Sequence, residues 1–228
     1  VRCGTWRQAG EEMRLKSMEA TAGKSSASIK VSYDMPRQEA RTDMEYTVDA
    51  GGNVRVTMHF VPGNKPLPEM PRLGTAMLLP AAFDQMRWYG RGPQENYADR
   101  KESALVDVYA QNVWEQYHPY VRAQETGNKC DVRWVEMTDR QGQGIRVAGD
   151  EVLNVSAWNF LQDDIDYIPA KKAHRHGGSV KRKPLVWLNI DHRLMGVGGD
   201  NTWGAEVHPE YTITPREWRY SYTISPLK

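Results

Sequence analysis

Cysteine is scarce in this chain. Cys3 and Cys130 are the two present in 228 residues, too few for a disulfide framework and without the C-x-x-C spacing of a zinc site, so two free thiols are expected. Long apolar runs are missing as well. No stretch approaches the ~18 residues of a membrane helix and no charged-then-apolar leader opens the sequence, which argues against a membrane partner; the start at Val1 leaves a leader ahead of it open. An excess of one charge is also lacking. Thirty Lys and Arg face 29 Asp and Glu, so no net field selects nucleic acid or an anionic surface, and a neutral or locally recognised ligand is expected. His174 and His176 stand two apart among Lys171, Lys172, Arg175, Lys181, Arg182 and Lys183. Surrounding cations oppose a metal there, and a solvated basic loop is the expectation.

Capped amphipathic helices are absent too. The best candidate, residues 159–168, is short, acid-rich and closed by Pro169. The periodicity that is present is two. Val54, Val56, Met58 and Phe60 alternate with Arg55, Thr57 and His59, and Trp218, Tyr220, Tyr222 and Ile224 alternate with Arg219, Ser221 and Thr223, the pattern of half-buried antiparallel strands. Further strands are predicted at residues 28–33, 41–48, 83–89, 132–138, 144–148, 152–160 and 185–191. Turn signals at residues 49–53 and 140–144 separate neighbours. The reading is an all-β protein of two large packed antiparallel sheets, residues 1–228 forming one domain. The proline-rich stretch 62–71 is a loop between strands. Residues 20–28, small and polar, are expected to form a mobile turn.

Two segments carry chemistry. In Trp88-Tyr89-Gly90-Arg91-Gly92-Pro93-Gln94-Glu95-Asn96-Tyr97-Ala98-Asp99-Arg100 the glycines and proline end a strand and turn it, delivering Glu95, Asn96, Asp99 and Arg100 as a polar cluster. In Met195-Gly196-Val197-Gly198-Gly199-Asp200-Asn201-Thr202-Trp203-Gly204 the glycines are expected to take backbone conformations closed to other residues, so that Asp200 to Trp203 form a tight loop presenting an indole. An aromatic ring on such a loop suits the apolar C–H face of a sugar. The other seven tryptophans lie mostly in strand patterns and read as core. Carboxylates are numerous, among them Glu95, Asp99, Glu125, Asp163, Asp164, Asp166, Asp191, Asp200 and Glu206. A retaining glycosidase needs two about 5 to 5.5 Å apart, and spacing in the sequence pairs none of them.

With Pro119-Tyr120-Val121, Glu125-Thr126-Gly127-Asn128 and Trp187-Leu188-Asn189-Ile190-Asp191, these segments resemble the C-terminal domain of the β-galactosidases of glycoside hydrolase family 2, from about Trp88 to the end. The resemblance implies a β-supersandwich of the galactose mutarotase-like kind. It further implies that both catalytic glutamates lie in a (β/α)₈ barrel preceding this domain in the same chain, so that no catalytic residue is expected here. The tryptophan of the Gly-Gly-Asp-x-x-Trp loop, here Trp203 with Asp200 and Asn201 beside it, would line the subsite for the leaving sugar of a β-galactoside such as lactose. Thr202 and Ala98 depart mildly from the family pattern. Mg²⁺ and Na⁺ would be bound mainly outside this domain, and no cofactor or metal ligand set is expected within it. The whole enzyme could be a homo-oligomer, in bacterial cytoplasm or periplasm. Two other readings stand beside it. His118-Pro119-Tyr120 resembles a mutarotase segment, with His118 as acid in an aldose 1-epimerase, and a sheet rich in aromatics could serve as a carbohydrate-binding module.

Overall fold

The computed structural model describes residues 2–166, 176–201 and 203–228. Its strands, in chain order, are β1 (Arg14–Ala22), β2 (Ser26–Met35), β3 (Ala40–Asp49), β4 (Val54–Val61), β5 (Arg72–Pro80), β6 (Gln85–Gly92), β7 (Leu105–Asn112), β8 (Lys129–Thr138), β9 (Gly144–Trp158), β10 (Leu185–Leu194) and β11 (Trp218–Leu227). Every pairing among them is antiparallel. The all-β antiparallel expectation holds. In the described part of the helical candidate at residues 159–168 one turn forms, Gln162–Ile165, since too few apolar repeats leave little for a longer helix to bury.

The strands are hydrogen-bonded in the order β1-β2-β3-β4-β11-β9-β8-β6-β7, with β10 joining β9 to β5. The two packed sheets of the sequence reading are therefore continuous through one long strand. β9 pairs with β11 over Gly144 to Gly149 and with β10 over Asn154 to Trp158; the strands predicted at 144–148 and 152–160 are its two halves. Its pairing with β8 shifts register between Val132 and Trp134, the kind of irregularity by which a strand turns from one layer into the next. Cross-layer bonds confirm the stacking: the hydroxyls of Thr75 on β5 and Tyr222 on β11 lie 2.8 Å apart, and Tyr220 donates to the Ile190 carbonyl of β10 at 2.9 Å.

One cluster fills the space between the layers, with Val31, Met44, Val56, Tyr220 and Tyr222 from one arm and Met86, Trp88, Val135, Val155 and Leu188 from the other. Period-two alternation placed these side chains inward. Trp88 and Trp158 are fully buried, and Trp6, Trp114, Trp187 and Trp218 pack half-buried against the core clusters, as expected for core aromatics; Trp134 differs, lying half-buried outside those clusters with the Arg87 and Arg146 guanidinia 5.3 and 4.4 Å from its ring. Both thiols are free, with burial pushing Cys130 up to about 12.

The hairpin turns follow the sequence signals. Asp49 Oδ1 accepts from the Gly51 and Asn53 amides at 2.8 and 3.0 Å, and Asp139 Oδ1 accepts from Gln141 and Gln143 at 2.8 and 2.9 Å. The glycine three residues after each aspartate, Gly52 or Gly142, takes a left-handed φ of 81° or 86°. Residues 20–28 differ from expectation. They are the ends of β1 and β2 around a turn at 23–25, since the two strands stay paired from Ser17–Ser32 to Ala22–Ala27 despite the polar sequence.

Candidate functional site

The turn after β6 and the loop after β10 meet, and Asp99 is the junction. Its Oδ2 accepts from the Gly198 amide at 2.7 Å. A side chain at Gly196 would bring a Cβ to 2.7 Å from Asp99 Cγ, and one at Gly199 would come within 2.2 Å of the Ala205 carbonyl. This corrects the expected role of these glycines. Gly196, Gly198 and Gly199 keep ordinary φ and are small because the loop is pressed against Asp99 and against its own return; the left-handed residue is Gly204, at φ 103°.

The loop ends in an indole held outward. Asn201 Oδ1 accepts from the Trp203 amide at 2.8 Å, and Asp200 Oδ1 lies 2.8 Å from His208 Nε2, a pairing that raises the imidazole above its usual range. Asp200 and Asn201, expected beside a sugar, thus shape the loop that carries Trp203. Trp203 itself is 93% exposed. For a tryptophan, with its large apolar area, such exposure calls for a partner.

Glu95 anchors the other side of the same turn. It accepts from the Gly127 amide at 2.8 Å and from Thr126 Oγ1 at 3.2 Å, receives the Tyr120 hydroxyl in a short contact, and pairs with Arg100 at 3.2 Å. The expected loop-holding cluster is therefore present, extended by Thr126 and Tyr120 from segments that carried the resemblance. Lys129, wholly buried, donates to the Gly127 carbonyl at 3.0 Å and sits 5.2 Å from the Trp88 ring centre; burial brings it down to about 7.

Behind this cluster Glu125 and Asp191 converge on one guanidinium. Arg72 reaches Glu125 at 2.9 Å and Asp191 at 3.3 Å, and stands 5.6 Å from the Trp158 ring centre. Burial pushes Asp191 up to about 7 and raises Glu125, each drawn back by Arg72. Sequence reading missed Arg72 because nothing in Pro71-Arg72-Leu73 marks it; only folding brings it to the two acids. The remaining acids are also engaged: Asp164 with Lys183, Asp166 with Arg7, and Glu206 with Arg2 at 2.8 Å. Among the described residues no three His, Cys, Asp or Glu side chains gather as a metal would require. Where two carboxylates do meet, a guanidinium holds the central position, so this donor set does not fit Mg²⁺.

His118 is exposed, its ring 4.3 Å from that of Tyr120. Two carboxylates line the same shallow hollow, Glu95 and Glu115; Glu95 is already bonded to Tyr120, Thr126, Gly127 and Arg100, and Glu115 Oε2 accepts from the Asn112 amide at 3.0 Å. His174 lies outside the described residues, and His176 places Nδ1 3.0 Å from the Val121 carbonyl.

The family model described as the β-galactosidase small chain matches residues 2–225. The chain belongs to this family. A β-galactosidase of Priestia megaterium is 35% identical over 99% of the chain, and one of Lactobacillus delbrueckii subsp. bulgaricus 32% identical over 97%. In each case the small-chain domain spans 21% of the relative's length. Likeness to solved structures is weaker: the GH36 α-galactosidase AgaA of Geobacillus stearothermophilus covers 95% of this chain and 28% of its own, at TM-score 0.48 and 7% identity. Membership of the small-chain family rests on the sequence match.

Proposed function

We propose that this chain is the small-chain domain of a longer retaining β-galactosidase acting on terminal β-D-galactosides such as lactose, and that it supplies a wall of the active site. Trp203 stacks on the leaving sugar, while the two catalytic carboxylates come from a (β/α)₈ domain elsewhere in the same chain. The exposure of Trp203 on a fastened loop carries this reading. A mobile indole would lose on ordering what it gained in contact; a loop tied by Asp99, Asn201 and Asp200 is already ordered before the sugar arrives. The arrangement of the acids supports the assignment of catalysis to another domain, since Glu125 and Asp191 are buried around the shared Arg72 guanidinium and Glu95 is bonded to Tyr120, Thr126, Gly127 and Arg100. Any Mg²⁺ or Na⁺ of the enzyme, and any homo-oligomer contact, is assigned to the longer chain.

The native gene product tests the first half. An antibody to this domain should detect a polypeptide about five times its length, as the 21% share of its relatives implies. A product of 228 residues that is active on fresh α-galactose in a polarimeter would overturn the proposal and make His118 the residue to mutate.

A further inference from the structure

The layer formed by β1–β4 and β11 is apolar on its core side from one end to the other. Across the paired strands one line runs Tyr222, Val56, Tyr46, Ile29, Ala20, and the next runs Tyr220, Met58, Met44, Val31, Met18. Burial does not keep pace with this pattern. In the first line Val56 is 2% exposed and Ile29 41%; in the second Val31 is 7% exposed and Met18, one strand further, 64%. Leu15 on β1 and Val48 near the end of β3 are exposed on the same side. The outward side behaves differently, with Glu19, Lys30 and Glu45 side by side across β1, β2 and β3. A side built to face water would be polar like that one, so the apolar overhang marks a surface that something covers. Along β1 alone, a register break between Leu15 and Ser17 and the small side chains of Ala20 and Ala22 blur the pattern. Across the strands it is plain.

The opposite layer explains the exposure. β10 and β5 lie over β11, where Tyr220 bonds the Ile190 carbonyl and the Tyr222 hydroxyl meets that of Thr75. Met77 and Leu79 of β5 pack half-buried against the main cluster. β5 pairs with β10 alone, and among the described residues no strand lies beyond it. The second layer therefore ends before it reaches β2 and β1, and their core side is left as a shelf two strands wide. For the eight residues Leu15 to Ala22, at ~4.8 Å per strand and ~3.3 Å per residue, the shelf measures roughly 10 Å by 25 Å, the area of a two-stranded hairpin. Since sheets stack about 10 Å apart, the space against it admits one further layer.

Two needs meet in this place, the uncovered apolar shelf and the unpaired backbone edge of β5. A strand added to β5 answers both, because it continues the second layer and turns alternate side chains towards the shelf. A second copy stacking its own shelf on this one would leave the β5 edge unpaired. The relatives point to a nearer source. This domain spans 21% of their length, so about four-fifths of such a polypeptide lies outside it, tethered at high local concentration. We infer that the sandwich is completed by a β-hairpin of alternating apolar and polar residues, drawn from the part of the longer chain outside these 228 residues, which pairs with the free edge of β5 and lays its apolar side chains on Leu15, Met18, Ile29 and Val48. The inference rests on the reading of this chain as one domain of a longer enzyme; it involves neither Trp203 nor the buried acids.

Oxidation of Met18 by hydrogen peroxide in the longer gene product, followed by peptide mass spectrometry, tests it. Under the hairpin, Met18 should oxidise roughly tenfold or more slowly in the folded protein than in urea. A rate within about twofold of the denatured one, as an uncovered side chain would give, overturns the inference. Met18→Asp should lower the Tm of the longer chain, while Glu19→Ala, on the outward side, leaves it unchanged; equal tolerance of both would overturn the inference too. The source of the cover is read by placing p-benzoylphenylalanine at Val48 and irradiating. A cross-link to a peptide of the same polypeptide outside the 228 residues is expected. A product of doubled mass would assign the shelf to a second copy and refute the hairpin, as would cross-links confined to the 228 residues. A longer chain whose Met18 oxidises freely sinks the hairpin and leaves the β-galactosidase reading standing, whereas a native product of 228 residues removes that reading and the hairpin's source with it.

Discussion

Replacing Trp203 by Ala in the longer chain separates a sugar platform from a structural tryptophan, because the structure fixes what else the substitution can do. An indole offers on the order of 200 Å² of apolar surface, and at 93% exposure Trp203 gives almost none of it to the fold. It belongs to none of the three core clusters. The variant should therefore unfold within about 0.5 kcal/mol of the parent, as exposed substitutions do. If one face stacks on the leaving glucose, roughly 100 Å² leaves water in the transition state, about 2.5 kcal/mol at 25 cal/mol per Å². That is an upper bound, since a sugar face is only partly apolar. Half of it corresponds to about a tenfold fall in kcat/KM. The assay compares lactose with β-galactosyl fluoride, whose leaving group has no ring to stack. Lactose hydrolysis and transfer to glucose should fall about tenfold while the fluoride reacts as before. Equal losses on both substrates, or none on lactose, would refute the assignment.

Asp99→Ala removes the acceptor for the Gly198 amide and should reproduce part of the Trp203→Ala loss on lactose, about three- to tenfold, with fluoride turnover retained; Asp99→Asn, which keeps an oxygen, should lose less. Trp88→Ala, in the fully buried heart of the main cluster, should cost about 3–5 kcal/mol in a denaturant titration. Stability should also respond to Asp191. Burial holds its folded-state pKa at about 7, above the ordinary aspartate value of 3.8. Between these values the folded protein keeps a proton that the unfolded chain releases, so this group's contribution to stability falls as pH rises through the window. Asp191→Asn should flatten that fall, read as Tm against pH from 4 to 7. His192, lowered by burial, works in the opposite sense, losing stability as pH drops below its ordinary 6.5, so the comparison is between variant and parent at each pH.

The strands legible in the sequence are those with neighbours on both sides. β4 and β11 were marked by alternation, since each buries one face against the core, and β2, β3, β6, β8, β9 and β10 were predicted beside them from their apolar and turn-bounded runs. The three that escaped notice, β1, β5 and β7, are the three edges of the sheet, each paired with a single strand. β1 is exposed at every residue, and β7 leaves Leu105, Val106 and Val108 in solvent. Where burial does not alternate, the sequence has no reason to alternate either. Arg72 and His192 escaped for a related reason, since neither sits in a local motif.

What the sequence by itself determined is the class of fold, the hairpin turns at Asp49 and Asp139, the indole on a glycine-rich loop and the family. Each of these is written in neighbours along the chain, through period-two burial, side-chain capping of a turn, or a dense local motif. Tertiary structure alone decided that Asp99 fastens that loop from about a hundred residues away and that Arg72 stands between Glu125 and Asp191. Those arrangements depend on strand register and on the turn of β9 from one layer into the other, and register is a property of pairs of strands that no single stretch of sequence contains.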